Sequence, residues 1–116
     1  MNSLNSVLLE GKVNGGISLP MYDRLGNLYQ LFAIHTSKSF KVDEEYKKDV
    51  FTFSVRVYGD TAEICRQHVK HGQEVRIIGR LEQDIWGAES MIYIVADNVE
   101  FKPEGGSIPH KQVWII

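Results

Sequence analysis

Apolar and polar positions alternate most clearly from Phe51 to Tyr58. Phe51, Phe53, Val55 and Val57 point one way, and Thr52, Ser54, Arg56 and Tyr58 the other. That is the period of a half-buried strand. Gly59 breaks it. Asp60, with Glu63 three residues on, stands in capping-box position for a helix. Ala62, Cys65 and Val69 recur at helical spacing up to about Lys70. Gly72 is the expected left-handed stop. From Glu74 to Leu81 the alternation returns. Val75, Ile77, Gly79 and Leu81 share one face, while Arg76, Ile78 and Arg80 share the other. Trp86 then falls in a short loop.

Ahead of this block, Ser6 to Val13 reads as a first strand, with Val7, Leu9, Gly11 and Val13 inward. Gly11 inside it predicts a bulge or a sharp coil, as at a barrel corner. Gly15-Gly16, Pro20 and Gly26-Asn27 mark Asn14 to Asn27 as loop, with room for a short turn. Leu28 to Thr36 is a second strand, apolar on both faces and so covered on both. Ser37 to Asp49 is a charged excursion, read as a mobile hairpin arm or loop, in which Phe40 has no local core to join. Ser90 to Phe101 is the last strand, with Ile92, Ile94 and Ala96 on one face and Tyr93 and Val95 on the other. Pro103 and Gly105-Gly106 close the domain. The division is therefore a domain of residues 1–103 and an extension of residues 104–116 that ends Val113-Trp114-Ile115-Ile116.

The pattern predicts an all-β domain with one helix, placed between strands 3 and 4. That order is the signature of a five-stranded OB-fold, a Greek-key barrel. An open five-stranded sheet with one packed helix fits the same periodicity.

Composition narrows the chemistry. A chain of 116 residues with a formal net charge of −2 does not bind nucleic acid by bulk electrostatics. Such binding needs stacking and locally placed cations. No apolar run reaches the ~20 residues of a membrane span, and MNSLNS lacks a secretory signature. Cys65 is the sole cysteine, so no intrachain disulfide forms, and a reducing cytoplasm fits. His35, His68, His71 and His110 have no metal-ligand spacing, and no nucleophile elbow or phosphate loop is present. Neither a cofactor nor an enzyme is expected.

The motifs resemble those of bacterial single-stranded DNA-binding proteins over residues 4–103. NSVLLEGKV is similar to the family's opening strand, and HTSKSF to the end of its second, with Phe40 as the aromatic. Tyr58-Gly59, Ala62-Glu63, Lys70-His71-Gly72, Val75 to Leu81 and Trp86 resemble its most characteristic block. The resemblance implies that Phe40, Tyr58 and Trp86 stack on bases. It implies that Arg56, Arg76 and Arg80 meet phosphates or pack beneath bases. Lys38, Lys41, Thr52 and Ser54 complete the expected DNA-binding set. Thr52 departs from the family, which commonly has a tryptophan there. The resemblance also implies a homo-oligomer, a tetramer ahead of a dimer. The cytoplasm, with the nucleoid, is the expected location, and replication or repair proteins are the expected partners. The family's acidic recruiting tail has no counterpart here, because Glu104 is the sole acid after Pro103.

Two functions follow. One is non-catalytic, largely sequence-independent binding of single-stranded DNA in replication, recombination or repair. The alternative is a protein-interaction or primosomal replication-restart subunit on the same fold, with reduced DNA binding. The net charge, Thr52 and the missing tail favour the second; the aromatics with their arginines favour the first.

Overall fold

In a computed structural model of the chain, residues 3–103 are described, with Trp86 described by its backbone alone. The extension that ends Val113-Trp114-Ile115-Ile116 lies outside the described residues. The strands are β1 (Val7–Asn14), β2 (Met21–Tyr22), β3 (Leu28–Val42), β4 (Glu45–Tyr58), β5 (Glu74–Trp86) and β6 (Glu89–Phe101). The helix α1 (Gly59–His68) joins β4 to β5.

The sheet closes on itself. β1 pairs with both β3 and β5, β4 with β3, and β6 with β5. A short parallel contact, Val55 to Ile94 and Arg56 to Val95, joins β4 to β6 and completes the ring. Leaving aside the two-residue β2, five strands form an OB-fold with the helix between the third and fourth. Alternate residues turn inward, so Val13, Phe32, Ile34, Val55, Val57, Val75, Ile77 and Ile94 fill the interior, each with 2% or less of its surface exposed. The helix closes one end with Ala62 and Cys65, and Val69 follows just past its last turn. Burial pushes the Cys65 thiol up to about 12, against a weaker pull from Arg66, so it behaves as a small core residue.

Several local expectations need correction. The helix starts at Gly59, whose φ of +52° swings the chain straight out of β4. Its N-cap is Tyr58, which makes no side-chain cap bond, and Asp60 falls inside the first turn. There its carboxylate still meets the positive end of the helix dipole, but no Asp60–Glu63 box forms. The helix also ends at His68, short of Lys70, because Val69 is already extended.

Gly11 carries no bulge. A Cβ there would lie 2.4 Å from the His35 carbonyl oxygen, so glycine is required by close approach of two backbones. The register shift falls instead at Ile78/Gly79. The charged excursion is a continuous ladder, and Asp43 and Glu44 turn it with φ of 51° and 67°. Both angles are positive, which suits the twist of a tight hairpin. Trp86 is not in a loop; it ends β5, opposite Glu89.

Candidate nucleic-acid interface

The strict alternation along β3 and β4 sets which side chains meet. On the outer face the rungs are Tyr29–Tyr58, Leu31–Arg56, Ala33–Ser54, His35–Thr52, Ser37–Val50, Ser39–Lys48 and Lys41–Tyr46. On the opposite face Phe32, Ile34, Val55 and Phe53 run into Lys38 and Phe40. The ladder therefore brings Tyr58, Arg56, Ser54, Thr52 and Lys41 onto one face. It places Phe40 and Lys38 on the other. Phe40 is half-buried on the arm and does not join Tyr58. One register, unbroken from Tyr29 to Val42, is the reason.

A groove of about 670 Å³ crosses this outer face. β2 and the loop that follows it form one wall, with Tyr22, Asp23 and Arg24. The β5–β6 hairpin forms the other, with Asp84, Glu89 and Met91. Its floor is Tyr29, Leu31, Ser54, Arg56 and Tyr93.

Arg56 sits at the centre of that floor and is 8% exposed. Its guanidinium carbon lies 3.7 Å from the centroid of the Tyr93 ring and 4.3 Å from that of Tyr29. A cation between two ring faces is attracted by both quadrupoles. Nη2 donates to Asp84 Oδ2 at 2.6 Å, and Tyr93 O–H donates to Asp84 Oδ1 at 3.2 Å. Burial opposes the charge on Arg56, but Tyr58 and Asp84 outweigh it and hold its pKa above the ordinary value. Burial also pushes the Tyr93 hydroxyl up to about 12, so it stays a donor. Arg56 keeps the outward phase expected of it, but rings and a carboxylate cover it. The side chain is a buried node that holds two rings in place.

The loop wall is anchored to the same strands. Tyr58 O–H donates to Asp23 Oδ2 at 3.1 Å, and Asp23 Oδ1 accepts the backbone N–H groups of Leu25 and Asn27. The Asn27 amide draws the Asp23 carboxyl below its ordinary value; desolvation opposes it, and Tyr58 and Leu25 add to the lowering. Gln30 donates to the Ser18 carbonyl, and the Ser18 hydroxyl accepts from Leu31 N–H. Tyr29 and Tyr58 lie 5.8 Å apart, tilted by 39°, and both are half-buried. With the more exposed Tyr22 on the wall, they are rings a flat ligand can reach.

Arg76 and Arg80 are on β5, away from this groove. Arg76 lies between Glu10, at 2.7 Å, and Glu100, at 3.4 Å. Arg80 lies between Glu82, at 2.8 Å, and Asp97, at 2.7 Å. Lys41 is bound to Glu44 at 3.1 Å. Sequence reasoning missed Tyr29, Tyr93, Asp84 and Asp23. Their only trace is alternation: Tyr29 and Tyr93 occupy the outward phase of strands whose inward phase is Phe32, Ile34, Ile94 and Ala96.

A closed five-stranded ring with an aromatic groove between a loop and a hairpin is an OB-fold binding domain in form. Residues 4–102 match the Single-strand binding protein family, and the chain belongs to that family. A single-stranded DNA-binding protein of Wolinella succinogenes is 32% identical over 87 residues, 74% of this chain and 53% of the relative. One of Helicobacter pylori is 29% identical over 111 residues, 90% of this chain and 62% of the relative. The chain thus spans between 53% and 62% of the length of these two relatives. A Plasmodium falciparum protein, solved as an SSB complex with ssDNA, superposes with a TM-score of 0.73 at 18% identity, covering 87% of this chain and 96% of that one. A deletion mutant of the Thermus aquaticus single-stranded DNA binding protein gives 0.74 at 21% identity, covering 89% and 52%. The two solved structures show the shared fold.

Proposed function

We propose that the chain binds single-stranded DNA without catalysis and with little sequence preference. The observation that carries this is the groove floored by Tyr29, Arg56 and Tyr93, with Tyr58 beside it, in a member of the single-strand binding family. Aromatic faces accept any base, and each stacked base contributes about 1–3 kcal/mol. The relatives from Wolinella and Helicobacter are named for single-stranded DNA, which supports the same ligand. A role in replication, recombination or repair, in the cytoplasm at the nucleoid, belongs to this reading. So does assembly into a homo-oligomer, four copies ahead of two. Leu8 and Ile78, opposite each other on β1 and β5, are exposed on a face rimmed by the Arg76 and Arg80 ion pairs, which suits a second copy.

One observation favours the alternative of a partner-binding or restart subunit. Arg56, Arg76 and Arg80, the arginines expected to reach phosphates, are all engaged by carboxylates. Fluorescence titration with oligo-dT separates the two. Saturable binding that persists with mixed-sequence oligomers supports single-stranded DNA. No binding at low salt leaves the alternative.

A further inference from the structure

A second groove lies on the same outer face, at the fork where β1 leaves β3. β1 pairs with β3 at Lys12–His35, Val13–Ile34 and Asn14–Ala33, and with β5 from Val7 to Lys12. The backbones touch at Gly11 and His35 and then splay apart. The wedge between them holds about 570 Å³. The charged groups around it are Glu10 and Lys12 from β1, Lys48 from β4, Glu74 from β5 and Lys102 just past β6.

The two acids are already engaged. Glu10 is bound to Arg76 at 2.7 Å, and Glu74 to Lys102 at 3.0 Å. Lys12 and Lys48 have no acidic partner among the described residues. The wedge therefore has a local excess of positive charge in a chain whose net charge is −2. His35 also lines it, and its Nδ1 is 2.9 Å from Thr52 Oγ1. A hydroxyl both donates and accepts, so this contact survives either charge state of the ring. The second ring nitrogen is left for a ligand. Histidine is the side chain that changes charge between about pH 5 and pH 8.

The first groove is floored by Leu31 and Ser54, and His35–Thr52 is the next rung of that face past Ala33–Ser54. Four residues of β3 separate Leu31 from His35, about 13 Å at strand rise. We propose that the fork is a second contact for the same strand. It takes a backbone phosphodiester, with Lys12, Lys48 and protonated His35 as donors, so affinity for single-stranded DNA rises as pH falls. Placing a phosphate here builds on the single-stranded DNA reading of the first groove.

Oligo-dT is the probe, because thymine carries no group that titrates in this range. The protein should bind it about tenfold more tightly at about pH 5.5 than at about pH 8, the scale of one hydrogen bond to a charged group. His35→Gln should lose most of that difference, while His68, His71 and His110 remain in both proteins. On the unsubstituted protein, NMR should show oligo-dT raising the pH at which the His35 ring changes charge. Inorganic phosphate at matched concentration should not. A His35→Gln protein that keeps the full pH dependence overturns the assignment. So does an equal response of the ring to inorganic phosphate, which would mark an adventitious ion only. Binding that is the same at both pH values removes the fork and leaves the first groove standing. No binding at either pH removes the first groove, and the fork with it.

Discussion

In the groove beside the β5–β6 hairpin the charges of the floor, and Asp23 on the loop wall, are held. Arg56 has Asp84, Asp84 has Tyr93, and Asp23 has Tyr58 and two backbone amides. At the fork between β1 and β3, Lys12 and Lys48 have no acidic partner among the described residues. The first arrangement fixes shape. Tyr29 and Tyr93 pack on the paired Arg56 guanidinium, and Tyr93 and Tyr58 are hydrogen-bonded to Asp84 and Asp23, so it offers π-faces in a set orientation. The second fixes little but attracts anions, and salt screens it. A domain with an overall negative balance can place charge for phosphates in one groove and orient rings for bases in the other.

The contrast is broken most severely at Asp84. Asp84→Ala leaves Arg56 buried among rings with its carboxylate gone. Removing one partner of a buried pair costs about 3–5 kcal/mol, which denaturant unfolding would read. Replacing both, Arg56→Met with Asp84→Leu, should recover most of that loss, because an apolar pair needs no partner charge. A single-variant loss below about 1 kcal/mol would show the guanidinium reaching water, and the node would not be rigid.

The next effect is on binding. Tyr29→Ala or Tyr58→Ala should each weaken oligo-dT binding by about 1–3 kcal/mol. Equal affinity in a variant that melts like the parent would take that ring out of the site. At the fork the expected change is in salt dependence. Lys12→Gln and Lys48→Gln should each lower the log–log salt slope by about 0.7 if each meets one phosphate. Unchanged slopes would place both lysines outside the path of the strand.

The smallest effect is on the acid side of the loop wall. Asp23 is held below 3.8 in the folded state, chiefly by the Asn27 amide. A lowered folded pKa makes a contribution that is present above the unfolded value and lost as pH falls through the folded one. The Asn27 and Leu25 amide signals should therefore hold steady as acid passes the ordinary carboxylate value and move only below it. Signals that follow an unperturbed aspartate would show that the loop is not anchored there.

The barrel was legible because its information is periodic. Val55, Val57, Val75 and Ile77 announce inward faces by alternation alone, and each is buried; β3 reads as covered on both faces, yet only the phase of Phe32 and Ile34 is buried. The extent of the strands was not. Glu82-Gln83-Asp84-Ile85 and Lys47-Lys48-Asp49 look like loops because no core rewards them, yet hairpin pairing carries both stretches beyond the barrel. The site was legible in kind but not in membership. Tyr58 was found from its own strand. Asp84 and Tyr93 become meaningful only once β6 lies between β5 and β4, which no local pattern states. Arg56 was read as outward, which is right for its phase. What covers it is the pair of rings from β3 and β6.

The ring of strands is joined unevenly, and this bears on how the molecule assembles. β3–β4 and β5–β6 are hairpins with ladders along most of their length. Hairpins of local sequence form in about 1–10 μs. β4 meets β6 only around Val55–Ile94 and Arg56–Val95, across a large sequence separation. Such non-local closure carries the greater loop entropy and comes late. Arg56 is itself one of the residues on that seam, and its side chain reaches Tyr93 on β6 and Asp84 on β5. The guanidinium therefore acts as a rivet between the two hairpins, set where they meet in register. Until it is in place, the floor of the groove does not exist.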